Sequence, residues 1–161
     1  MSSRAASRLE VLGFLPVYDY VGGKADWGSF GLPLEGENDS RTRVGAFART
    51  EAPSCLPDDL VSTVADRVAS SGWDICVVTT ERHVVVGLLG RQALRSGASV
   101  PAEQAMTEGP STIRPSARLD AIGQRMREQQ LACIVVTRSD GVFIGVLRRE
   151  DVEEHERSVS S

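Results

Sequence analysis

The sequence predicts a mixed α/β (α+β) fold built from two copies of one supersecondary unit. Three observations carry that prediction. The chain matches itself at an offset of 58 positions. Each copy reads strand–helix–strand–strand–helix (β-α-β-β-α). The composition, 41% hydrophobic and 25% charged, is that of a globular domain, and 161 residues suffice to bury a core without disulfides.

The offset is legible residue by residue. Pro57 falls on Pro115, Val64 on Ile122, Arg67 on Arg125 and Val68 on Met126. Val77-Val78-Thr79 falls on Val135-Val136-Thr137. Gly87 falls on Gly145, Leu89 on Leu147 and Arg91 on Arg149. Self-similarity over this length, without a gap, signals a duplicated structural unit.

In the second copy, Ser111 to Arg114 is a short extended piece stopped by Pro115, with Ser116 as the expected helix cap. Leu119, Ile122, Met126 and Leu131 recur at helical spacing. Cys133 to Thr137 is a β-rich apolar run, expected to be a strand buried on both faces. Ser139-Asp140-Gly141 is a tight turn, Val142 to Leu147 the returning strand, and Asp151 to Arg157 a charged helix. The first copy repeats this order. Ser54 to Leu56 precedes Pro57; Leu60, Val64 and Val68 form the helix stripe; Ile75 to Val78 and Val84 to Leu88 form a hairpin around a turn without glycine, Glu81-Arg82-His83. One unit cannot cover its own sheet, so the two are expected to pack about a pseudo-two-fold axis. The expected boundaries are 1–36 for an N-terminal piece, 37–43 for a polar linker, 44–101 and 102–157 for the repeats, and 158–161 for a polar tail.

The duplicated unit resembles the cystathionine-β-synthase-like (CBS) domain pair. The resemblance rests on Pro110 to Ala117 as the opening strand and helix start, Cys133 to Thr137 as the central strand, Gly145 to Asp151 as the closing strand and last-helix entry, and Ala105-Met106-Thr107 as the leading segment. It implies a regulatory module rather than an enzyme, and a cleft between repeats for an adenosine-containing ligand such as AMP, ADP, ATP or S-adenosylmethionine. It also implies a flat homodimer. The alternative is a ligand-free module for dimerisation or for binding another, unidentified protein.

The family's ligand motif is a glycine, then Ser or Thr three residues on, then Asp three further. Here Gly145 and Asp151 match, with Arg148 at the middle position; the first copy has Gly87, Gly90 and Ala93. The resemblance implies Asp151 as the acceptor for ribose hydroxyls, a task that suits a carboxylate, with Arg148 toward phosphate. Ser54, Trp73 and Asp74 would meet the base. Thr112, Leu131 and Ala132 would line a second cleft without the carboxylate. Each assignment has a structural counterpart: Asp151 favours a helix N-terminus, Trp73 suits a core, and Arg148 and Arg149 beside Glu150 suit a solvated face.

In the N-terminal piece, Ser2 to Leu12 reads as an amphipathic helix stopped by Gly13. The run from Gly13 to Trp27, followed by Gly31-Leu32-Pro33, resembles the C-terminal end of a rhodanese domain, without that family's active-site loop. Five of the eight aromatics fall between Phe14 and Phe30, as a docking surface requires.

The remaining residues exclude several classes. A formal net charge of −4 disfavours nucleic acid. No apolar run approaches a membrane span. Cys55, Cys76 and Cys133 are odd in number and lack metal-site spacing, so they read as free thiols in a reducing cytoplasm. His83 and His155 have no partner at ligand spacing, so neither a catalytic nor a metal site is expected. Arginine in place of lysine, with Lys24 as the one lysine, points to a GC-rich bacterial genome.

Overall fold

The computed structural model describes residues 9–14 and 42–159. After a 3-10 turn at Val44–Ala46, the first repeat runs β1 (Ser54–Cys55), α1 (Val61–Ala69), β2 (Cys76–Thr79), β3 (Val85–Leu89) and α2 (Arg91–Ser96). The short helix α3 (Ala102–Ala105) and β4 (Thr107–Glu108) lead into β5 (Thr112–Ile113), α4 (Leu119–Glu128), β6 (Cys133–Thr137), β7 (Phe143–Arg148) and α5 (Arg149–Val159). The two sheets have the orders β1-β2-β3-β4 and β5-β6-β7. In each, the first strand is parallel to the second and the hairpin is antiparallel. The expected α+β fold with duplicated units is what the chain forms.

β2 is buried throughout and β6 from Ile134 to Thr137, as their apolar runs require. Alternation divides their side chains. Ile134, Val136 and Leu147 face a core with Leu119, Met126 and Val152, whereas Val135 and Val146 join the first repeat's core beside Val77, Val78 and Leu89. That shared layer holds the repeats together.

The repeats also meet at their hairpin tips. Val84 bridges Val142, its own counterpart in the 58-residue register, and this pair marks the pseudo-two-fold axis. Around it, Val85 N–H donates to the Gly141 carbonyl at 3.1 Å and Phe143 N–H to the His83 carbonyl at 2.8 Å. Gly141 has φ +82° and His83 φ +59°. The first turn therefore dispenses with glycine by holding a histidine in the left-handed region, where histidine is enriched.

The leading segments are exchanged. Residues 102–108 pack on the first repeat, with β4 paired to β3. Residues 44–49 pack on the second: Val44 N–H donates to the Ala117 carbonyl at 3.0 Å, Gly45 N–H to Pro115 at 2.9 Å, and Arg49 bridges Val146. The symmetry holds bond by bond, since Ala102 N–H donates to Asp59 at 2.8 Å and Glu103 N–H to Pro57 at 2.9 Å.

Two local expectations shift. Ser116 lies in a turn, and α4 begins at Leu119 with Arg118 as its N-cap residue. The bridge from Arg43 holds Arg118 extended, so the helix starts only after it. Likewise Leu60 is the 45% exposed N-cap of α1, bridged to Pro101, and the buried stripe is Val61, Val64 and Val68. Near the N-terminus, residues 9–11 are helical and Gly13 has φ +89°, the conformation that ends a helix. The rhodanese-like run beyond Phe14 lies outside the described residues, as do residues 2–8 and most of the linker.

Candidate functional site

One groove follows from an exchanged segment. Gly145 sits buried in β7 where the segment carrying Arg49 crosses it. A Cβ there would lie 2.6 Å from the Arg49 carbonyl oxygen, so only glycine permits the pairing. Its first-repeat counterpart, Gly87, faces the Met106 side chain. Gly145 thus positions Arg49 over the start of α5.

Asp151 lies in the first turn of α5, where a carboxylate complements the helix dipole. Its side chain is 10% exposed. Arg49 grips it with both nitrogens, Nε donating to Oδ2 at 2.9 Å and Nη2 to Oδ1 at 2.5 Å. The hydrogen bond to Asp151, and then its charge, hold the Arg49 guanidinium above the usual arginine range. Glu51 lies 3.7 Å from Arg49 Nη1. These residues, with Ala46, Phe47, Ala48, Glu154, His155 and Ser158, line a groove of ≈ 560 Å³. The Phe47 and His155 rings meet there at 4.7 Å between centroids. The groove is made jointly, one wall from the leading segment of the first repeat and one from the last helix of the second.

A second cleft, of ≈ 870 Å³, collects Trp73, Asp74, Ala132 and Arg148, with Arg91, Cys133, Arg149, Glu150 and Glu153. The Arg148 guanidinium stacks 3.7 Å from the Trp73 ring centroid, a cation–π contact, and also donates to Glu150 at 2.8 Å. Arg91 pairs with Asp74. Arg149 Nε donates to the Leu131 carbonyl at 2.8 Å, and Arg149 N–H to the Ala132 carbonyl at 2.9 Å. Burial, and then the Asp74 charge, push the Cys133 thiol up.

The residues singled out from sequence are therefore divided. Trp73, Asp74, Ala132 and Arg148 share one cleft; Asp151 lines another groove, because residues 150 and 153 of α5 face one side and residues 151, 154 and 155 the other. Ser54 is held in β1, paired with Val77, and its carbonyl accepts from Arg67 Nη2 at 2.9 Å. Thr112 is paired with Val135 in β5, and Leu131 serves as the acceptor for Arg149. Nothing in the sequence pattern directly singles out Arg49 or Phe47, and His155, without a partner at ligand spacing, enters the groove only through the fold. The available signal was the Met106-Thr107 leading segment, whose counterparts 58 positions earlier are Ala48 and Arg49.

Among the described residues there is no cluster of three or more metal-ligand side chains. No described helix is long and apolar enough to cross a membrane. Cys55 and Cys76 are buried free thiols, and the hydrogen bond between them, followed by burial, pushes the Cys76 thiol far up.

The CBS domain family model matches residues 102–157. Comparison with curated proteins finds no match. Among solved structures, the chain is similar to the CBS domains of a transcriptional regulator from Streptococcus pneumoniae, at 21% identity and TM-score 0.65, covering 70% of this chain and 98% of that one. It is similar to CBSX2 in complex with AMP, at 18% identity and TM-score 0.65, covering 74% and 98%. It is similar also to the CBS domain pair of protein MJ0100 in complex with 5′-methylthioadenosine and S-adenosyl-L-methionine, at 13% identity and TM-score 0.66, covering 74% and 98%. In sequence over residues 102–157, and in fold over both repeats, the chain is thus similar to the CBS domain pair.

Proposed function

We propose that this chain is a ligand-sensing regulatory module that holds an adenosine-containing ligand between its repeats, with Asp151 accepting from the ribose hydroxyls. The observation that carries this reading is the Asp151 groove itself. A carboxylate 10% exposed lines a concave site between the last helix of the second repeat and the segment that runs from it into the first, so a ligand there bears on the connection between the repeats. Phe47 and His155 offer ring faces to a base. The equivalent place in the first repeat has Ala93 for Asp151 and Thr107 for Arg49, so one of the two related grooves carries the chemistry. AMP, 5′-methylthioadenosine and S-adenosylmethionine in the similar structures define the ligand class to test. The module works as a homodimer, regulates rather than catalyses, and acts in the cytoplasm.

Thermal unfolding of the purified chain against AMP, ADP, ATP, S-adenosylmethionine and NAD tests this. A ligand at ~100 times its Kd adds about 2.7 kcal/mol, and each kcal/mol shifts Tm by about 2–4 °C. A shift that Asp151→Ala removes is expected.

One observation favours a second reading. Arg49 already satisfies Asp151, and Arg148 already covers Trp73, as a ligand-free interaction module would have it. No shift with any compound at millimolar concentration, together with a stable dimer in light scattering, would establish that reading instead.

A further inference from the structure

The Asp151 groove holds a cation of its own, Arg49; the inference drawn from it rests on the site reading just given. Glu51, Asp151 and Glu154 line the groove, against Arg49 as its one arginine or lysine among the described residues. Arg49 is fixed in its backbone, since its N–H donates to Val146 at 2.9 Å and its carbonyl accepts from Val146 N–H at 3.0 Å. Its side chain is 43% exposed and is held by Asp151 alone at hydrogen-bond distance. The next carboxylate within its reach is Glu51, 3.7 Å away and 60% exposed.

We infer that Arg49 is an internal competitor occupying the position of a cationic ligand group, and that the groove selects neutral or positively charged adenosyl compounds over nucleotides. Arg49 covers Asp151 and leaves it 10% exposed, so ribose hydroxyls reach that carboxylate by turning the guanidinium aside. Once turned, Arg49 is met by Glu51, and its charge stays with that neighbour. The ligand is left facing Asp151 and Glu154. A phosphate there meets like charge, whereas a sulfonium or ammonium restores the positive charge that Arg49 has withdrawn. The contact is also autoinhibitory: ligand binding includes the cost of breaking a two-point, charge-assisted hydrogen bond.

The test is calorimetric titration of the full chain and of Arg49→Gln with S-adenosylmethionine, 5′-methylthioadenosine, AMP and ATP. The first two differ in the charged sulfonium and its amino-acid tail. The expected order in the wild type is S-adenosylmethionine, then 5′-methylthioadenosine, then AMP, then ATP. Arg49→Gln should tighten the first by about tenfold, the effect of one charge-assisted hydrogen bond, and leave ATP no tighter. AMP or ATP binding more tightly than the neutral thioether, and weakening in Arg49→Gln, would show that Arg49 is a phosphate ligand and overturn the inference. Absence of binding by all four compounds to both proteins would instead sink the adenosyl-site reading, and the inference with it. If Arg49→Gln does not fold, Glu154→Gln serves: it should weaken S-adenosylmethionine by several-fold and leave 5′-methylthioadenosine unchanged, and equal effects on both would overturn the selectivity.

Discussion

Arg49 and Asp151 stand 102 residues apart in sequence and share two hydrogen bonds, from Nε at 2.9 Å and from Nη2 at 2.5 Å. The pair ties the leading segment of one repeat to the last helix of the other. An exposed ion pair contributes little, but Asp151 is largely shielded from water, so its partner counts for more. A double-mutant cycle with Arg49→Gln and Asp151→Asn, read by urea unfolding, should give a coupling of about 1 kcal/mol. Zero coupling would mean that the pair does not hold the segment.

Two glycines in register predict different costs. A methyl at Gly145 would meet backbone, the Arg49 carbonyl oxygen at 2.6 Å, whereas at Gly87 it would meet the Met106 Sδ, the far end of a flexible chain. Gly145→Ala should therefore destabilise by about 1–3 kcal/mol and Gly87→Ala by less. Gly145→Ala should also expose the amide of Arg49 to hydrogen exchange. Equal costs for the two substitutions would contradict the crossing described here.

The hairpin tips on the pseudo-two-fold axis make a second contrast. Gly141 has φ +82°, and a Cβ there would touch Val84 Cγ1 at 3.4 Å. Gly141→Ala should cost about 1–2 kcal/mol for the left-handed backbone alone. His83→Gly, at φ +59°, should be nearly neutral, because relieved strain offsets the added chain entropy. Paired thermal denaturation curves decide this.

Arg148 over Trp73 gives an optical prediction. In a Trp27→Phe background, Arg148→Ala should raise acrylamide quenching of Trp73 and cost about 0.5–1 kcal/mol, the range for a cation–π contact at a partly exposed site. Unchanged quenching would show that the ring is shielded by other groups.

The exposed pairs Arg118–Asp120 and Arg138–Asp140 set an acid-side prediction. Each arginine's hydrogen bond, followed by one from a backbone N–H, holds its aspartate below the usual carboxyl range. A carboxyl lowered in the folded state contributes fully above its unfolded value, near pH ~4, and that contribution is lost as pH falls through the folded value. NMR titration should find both aspartates still ionised where a free aspartate is half protonated.

Much of the fold was legible in the chain because apolar periodicity and the 58-residue register are local properties of sequence. The strand Cys133 to Thr137, the helix stripe through Met126 and the turn at Gly141 all follow from period, β-branching and turn chemistry. The helix starts were less legible. Ser116 has the chemistry of a cap, yet the bridge between Arg43 and Arg118, 75 residues apart, moves the start to Leu119. The candidate site was legible by half. The resemblance singled out Asp151 and Trp73, but neither spacing nor composition says on which side of a helix a residue will face a distant segment.

By itself, then, the sequence determined the duplicated strand–helix–hairpin–helix unit, its apolar faces and the glycines its turns and close approaches need. Only the tertiary structure decided that the leading segments change places, that Arg49 therefore lies on Asp151, and that Trp73 and Asp151 fall into different grooves. The physical reason is the range of the forces involved. Periodicity and backbone preference act over a few residues, whereas the exchange is set by hydrogen bonds and apolar contacts between chain segments tens of residues apart, which exist only once both repeats have packed.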